Sequence, residues 1–90
     1  MKIAFDVDGT LLDFNNNPRW EVLDMLRFLS KKHTIIVWSG GGKEYAETIA
    51  RKLMITPYIS KCCAKSLEEN VDLCFDDEPF VNLAKVNIQV

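Results

Sequence analysis

Apolar residues in this chain gather in short runs that alternate with longer amphipathic stretches. Ile3-Ala4-Phe5 with Val7 reads as a short buried strand. Asn17-Pro18 then has the form of a helix start, since asparagine suits the N-cap and proline the first helical position. Beyond it Val22, Leu26 and Leu29 fall at i, i+4 and i+7, with Leu23 and Met25 beside them. That spacing predicts a helix with one apolar face, and Trp20 is expected to pack with it as core. HTIIVWS, His33 to Ser39, is rich in β-branched residues and predicts a second buried strand, which breaks on Gly40-Gly41-Gly42. In KEYAETIARKLMI a helical stripe joins Ala46, Ile49, Ala50 and Leu53, and Thr56-Pro57 closes that helix. A short third strand is expected within YISKCCA and a fourth in VDLCFDDE from Val71. The tail KVNIQV alternates Val86, Ile88 and Val90 with polar residues, as in a last strand near a sheet edge with one wet face.

Strand and helix in alternation predict an α/β domain with a mostly parallel sheet of about five strands. There is no repeat and no linker, so residues 1–90 are expected to form one domain. Composition narrows the picture further. The hydrophobic share of 48% argues against disorder, and the formal charge of −2 gives no electrostatic basis for general nucleic-acid binding. No apolar run approaches the roughly 20 residues of a membrane span, and the first residues lack the pattern of a signal peptide. Cys62, Cys63 and Cys74 are odd in number and two are adjacent, a poor disulfide framework. Reduced thiols in a cytoplasmic protein are the expectation.

Chemistry concentrates at the predicted strand ends, where open parallel sheets place their ligand sites. The first strand ends in Asp6-Val7-Asp8, the second in Ser39-Gly40-Gly41-Gly42, and a later one in Asp76-Asp77. Four carboxylates at one sheet edge need a neutralising cation, and an all-oxygen donor set without His or Cys points to Mg²⁺. Ser39 and the backbone N–H groups after it, just ahead of a helix N-terminus, suit an anion such as phosphate. Lys61 and Lys65 are both candidates for a positive charge on that phosphate. Each element alone is ordinary: a strand-end aspartate is commonly a turn former, and Asp76-Asp77 also suits the cap of a helix beginning at Pro79. Their joint placement carries the reading.

These residues resemble the haloacid dehalogenase (HAD) superfamily of phosphohydrolases. Phe5-Asp6-Val7-Asp8-Gly9-Thr10-Leu11-Leu12 matches its first motif, Ile35-Ile36-Val37-Trp38-Ser39-Gly40 its second, and Leu73-Cys74-Phe75-Asp76-Asp77 its fourth. The third motif is only a lysine ahead of the last of these strands. The resemblance spans nearly the whole chain and is nearest to small capless members of bacteria and phages. It implies a three-layer Rossmann-like core and a Mg²⁺-dependent phosphatase acting on phosphate monoesters through an aspartyl-phosphate. In it Asp6 is the nucleophile, and Asp8 is the acid that protonates the leaving oxygen and then the base. Mg²⁺ would be held by Asp6, the Asp8 carbonyl and Asp77, with Asp76 supporting. Ser39 and Gly40 would bind the phosphoryl oxygens, and Lys65, preferred over Lys61, would offset charge repulsion ahead of a helical stretch from Ser66 to Asn70.

The chain departs from most relatives in having no cap domain. Only Asp13 to Asn17 separate the first motif from Pro18, and Lys43 to Ser60 leave no room for an insertion. The pocket is therefore expected to be open, rimmed by Phe14 and Asn15 to Asn17. A phosphorylated small molecule and a nucleic-acid end both remain open as substrates, and a homo-oligomer would be one way to cover the site. Asn82 lies where some relatives place a further polar group. Other readings of the same residues are an HAD-like binding or regulatory protein with weak or no turnover, a phosphotransferase of the same family, and a receiver-type signalling domain. The last would carry its phosphoacceptor mid-chain, where this sequence has Ser39. Trp38 is expected to point away from the pocket, and His33 to be structural.

Overall fold

The computed structural model describes residues 1–90. Five strands form a single sheet: β1 (Lys2–Asp6), β2 (Thr34–Ser39), β3 (Lys61–Ala64), β4 (Val71–Asp76) and β5 (Ala84–Gln89). Their order is β3-β2-β1-β4-β5 and every pairing is parallel. Two α-helices, α1 (Trp20–Leu29) and α2 (Lys43–Lys52), link β1 to β2 and β2 to β3. The α/β class, the sheet of five parallel strands and the positions of all five follow the sequence expectation. No helix is long and apolar enough to cross a membrane.

Right-handed crossovers decide which side each connection takes. The chain steps twice in one direction, from β1 to β2 to β3, so α1 and α2 share a face. Val22, Leu23 and Leu26 of α1 and Ala46, Ile49 and Ala50 of α2 accordingly pack with Ile3, Phe5, Ile35, Val37 and Phe75 in one core. The steps from β3 to β4 and from β4 to β5 run the other way, over the second face. There Ala4, Ile36, Trp38, Cys63, Val71 and Cys74 form a smaller core, covered in part by Val81, Leu83 and Ala84.

The second face has no α-helix, so the three-layer expectation is met only by two thin connections. Between β3 and β4 the sole regular piece is a 3₁₀ turn, Leu67–Glu69. Between β4 and β5 the helix expected at Pro79 is absent. Length is the reason. Residues 77–83 must travel back along a strand of about 20 Å, which seven extended residues can cover and seven helical ones, at about 10 Å, cannot.

Three further expectations change. Asn17 and Pro18 do not open α1: Leu12 bridges Pro18, and Asp13 N–H donates to the Asn17 carbonyl at 2.8 Å, closing a loop before the helix. Trp20 is 61% exposed: as the first helical residue it lies about 110° around the helix from the centre of the buried stripe of Val22, Leu23 and Leu26. On β5, Val86 and Ile88 are exposed rather than buried, at 54% and 40%, since neither helix reaches over that edge.

The edge strand is held instead through Asn87. Its Oδ1 accepts from the N–H groups of Leu83 and Ala84, both at 3.1 Å, and from Cys74 Sγ at 3.0 Å, while its Nδ2 donates to the Ala84 carbonyl at 2.9 Å. Asn87→Ala strands these groups and should lower stability by about 2 kcal/mol. Denaturant melts would measure that loss, and hydrogen exchange would show the greatest loss of protection along β5.

Candidate functional site

Register brings the first two acids together. Ile3, Ala4 and Phe5 pair with Leu73, Cys74 and Phe75, so Asp6 and Asp76 end adjacent strands side by side. Beneath them the Phe5 and Phe75 rings stack with centroids 4.9 Å apart. Both carboxylates are buried, at 6% and 2% exposure, where an unpaired charge is costly. Lys65 resolves the conflict: its Nζ lies 2.9 Å from Asp6 Oδ1 and 2.8 Å from Asp76 Oδ2. Lys65 follows β3 directly, at the carboxyl end of the sheet.

Lys61, the competing candidate, begins β3 at the opposite end and pairs with Glu69 at 2.9 Å. Asn82 also lies away from the acids, in a hollow with Val71 and Ala84 where β4 and β5 begin.

Asp77 completes the group. One oxygen from each of Asp6, Asp76 and Asp77 fits within a span of 4.8 Å. Thr10 Oγ1 stands 3.3 Å from Asp6 Oδ2 and 3.5 Å from Asp77 Oδ1, long contacts that hold the two carboxylates loosely. The loop after β1 is shaped to admit Asp77. Gly9 has φ +84°, and a Cβ at that position would collide with the Asp77 carboxylate. Arg19 Nη1 donates to the Gly9 carbonyl at 2.8 Å and pins the loop from the start of α1.

Three carboxylates thus face one ammonium. Burial raises Asp6 to about 6, even though the hydrogen bond and charge of Lys65 pull the other way. The all-oxygen donor set, with more negative charge than Lys65 balances, is one that could hold a hard cation.

Ser39 ends β2 beside Asp6 and is buried, with 2% exposure. Its Oγ accepts from the Gly41 N–H at 2.9 Å, which leaves the hydroxyl proton free to donate. Gly42, at φ +99°, turns the chain into α2, and Gly40 is exposed. Trp38 does not turn away from the acids: as the register partner of Asp6 it lies on the same, second face of the sheet, fully buried. His33 Nδ1 accepts from the terminal ammonium of Met1 at the other end of β2, 3.0 Å away.

Asp8 stands apart from the other acids. Its side chain is exposed, and Tyr45 Oη donates to its Oδ1 at 2.6 Å. That bond raises the Tyr45 phenol to about 12. Tyr45 was absent from the sequence reading. Its place in the first turn of α2, just past the glycine loop, was the available signal.

The structure therefore gathers Asp6, Asp76, Asp77 and Lys65 at the carboxyl ends of the strands, with Ser39 and Gly40 at the neighbouring strand end. Asp8 sits at the exposed rim. No protein-family model, curated protein or solved structure matches the chain.

Lys65→Met removes the only cation between two buried carboxylates. It should cost about 3 kcal/mol at pH 8. The sign with pH follows from Asp6, already raised to about 6: without Lys65 it rises further, so protonation relieves the repulsion and the deficit shrinks by pH 5. Urea melts of both proteins at the two pH values measure this.

Proposed function

We propose that this chain is a Mg²⁺-dependent phosphomonoesterase of the HAD type. The observation that carries the reading is the convergence of Asp6, Asp76, Asp77 and Lys65 at adjacent strand ends, with Ser39 and its glycine loop on the next strand.

In this reading Asp6, the Asp8 carbonyl and Asp77, with Asp76 supporting, would hold Mg²⁺. The ion would supply charge neutralisation to the acids and to the phosphoryl oxygens. Asp6, ionised, attacks phosphorus while the bond from phosphorus to the leaving oxygen breaks. Asp8, protonated, gives its proton to that oxygen. Asp8, now a carboxylate, takes a proton from water, whose oxygen attacks the same phosphorus. The bond to Asp6 breaks, freeing inorganic phosphate and restoring the nucleophile. Ser39 Oγ–H and the Gly40 N–H donate to the non-bridging oxygens, and Lys65 reduces the repulsion that an anionic substrate meets at Asp6. With no cap, the alcohol portion of the substrate faces solvent, so a small phosphorylated molecule and a phosphorylated nucleic-acid end both fit.

Hydrolysis of p-nitrophenyl phosphate tests the reading. Activity should require Mg²⁺, and Asp6→Asn should lower kcat by about a thousandfold or more, the scale seen when a nucleophile is removed. A wild-type protein inactive across a panel of divalent metals would overturn it.

Proton and metal compete for Asp6, which sits at about 6 in the metal-free protein. Mg²⁺ affinity should therefore climb by up to about tenfold per pH unit as pH rises from 4.5 towards 6, and level off above. Calorimetric titration across that range gives the profile.

A further inference from the structure

Asp6 and Asp8 are held very differently. Asp6 is buried against Lys65 and Thr10, whereas Asp8 is exposed and its side chain has a single hydrogen-bonding partner, Tyr45. We propose that Tyr45 is the positioning residue for Asp8, fixing one carboxyl oxygen against the glycine loop so that the other serves the leaving oxygen of the substrate. This rests on the phosphomonoesterase reading above.

Two contacts from different parts of the chain support the role. The Tyr45 hydroxyl reaches across to Asp8 Oδ1 at 2.6 Å, spanning 37 residues of sequence. Its ring also lies against Gly41, where an added Cβ would stand 3.2 Å from the ring carbon Cδ2. Gly41 in turn donates its N–H to Ser39 Oγ. One side chain therefore links the group that would handle the leaving oxygen to the loop that would grip the phosphoryl oxygens. Because the phenol donates to Oδ1, Oδ2 is left to carry the catalytic proton. That proton moves from Oδ2 to the departing oxygen as the phosphorus–oxygen bond breaks, and the phenol keeps its own.

Without Tyr45 an exposed aspartate is free to sample several rotamers. A misplaced acid harms most the substrates that need a proton on departure. p-Nitrophenolate leaves as a stable anion and needs little help, whereas phenolate is a poorer leaving group. The quantity to measure is the ratio of kcat/KM for p-nitrophenyl phosphate to that for phenyl phosphate, which isolates the transfer step from hydrolysis of the phosphoenzyme.

In Tyr45→Phe that ratio should rise about tenfold, a part of the roughly hundredfold or more that a well-placed general acid contributes, since Asp8 itself remains. In an Asp8→Asn background the same substitution should leave the ratio unchanged, since Tyr45 acts through Asp8. The proposal is overturned if Tyr45→Phe lowers both esters alike or affects neither. A ratio that shifts equally with and without Asp8 also overturns it. If the wild type hydrolyses neither ester with any metal, the phosphomonoesterase reading fails, and the role of Tyr45 fails with it.

Discussion

The side-by-side placement of Asp6 and Asp76 is imposed by the hydrophobic core. Phe5 and Phe75 are register partners whose rings stack between the sheet and its helices. A slip of one residue would turn every side chain of a strand to the wrong face, so the core locks the pairing. Once it is locked, the next residue on each strand must meet its counterpart, and both are acids. Lys65 is the internal answer to that confrontation. Its ammonium is bonded to both carboxylates and stays charged, as the hydrogen bonds to Asp76 and Asp6 raise its affinity for the proton against the cost of burial. The remaining imbalance falls on Asp6, whose carboxyl burial raises to about 6.

The loops around this group are tied down one by one. Thr10 reaches back to Asp6 and across to Asp77. Arg19 holds the Gly9 carbonyl from the start of α1. Gln89, on the edge strand, donates to the Asp77 carbonyl at 3.2 Å. Gly9 is needed twice over, because its φ of +84° suits glycine and because the Asp77 carboxylate occupies the space of a Cβ. The acids are thus fixed from several elements at once, by contacts that do not depend on one another.

Much of this was legible in the sequence because it depends on local pattern. Runs such as Ile35-Ile36-Val37 are β-branched and apolar enough to force buried strands, and their ends mark where the polar cluster lies. Lys65 could be favoured over Lys61 only through family likeness. The structure separates them because four residues of β3 carry one lysine to each end of the sheet. Pro18 misled because its extended conformation serves a bridge to Leu12 as well as it serves a helix start. Tyr45 offered only its place just past the glycine loop as a signal, because its partner, Asp8, lies 37 residues away and no local pattern joins them. The missing third layer was a matter of connection length, which depends on the order of strands in the sheet and not on the composition of the connecting residues.

That same shortness shapes the candidate site. A connection long enough for a helix would have to leave the sheet, turn and dock before returning. The connections over the second face run almost directly back, so their opening residues stay at the strand tips. Lys65 is the first residue after β3 and Asp77 the first after β4, and both face Asp6. In a chain of 90 residues the residues that close a strand and those that begin its return double as the polar cluster. The consequence is an open rim: with no layer rising above the strand ends, Asp8 and Gly40 stand exposed, and only Tyr45 restrains the Asp8 side chain. The economy that places the buried acids so firmly also leaves the outermost acid dependent on a single phenol.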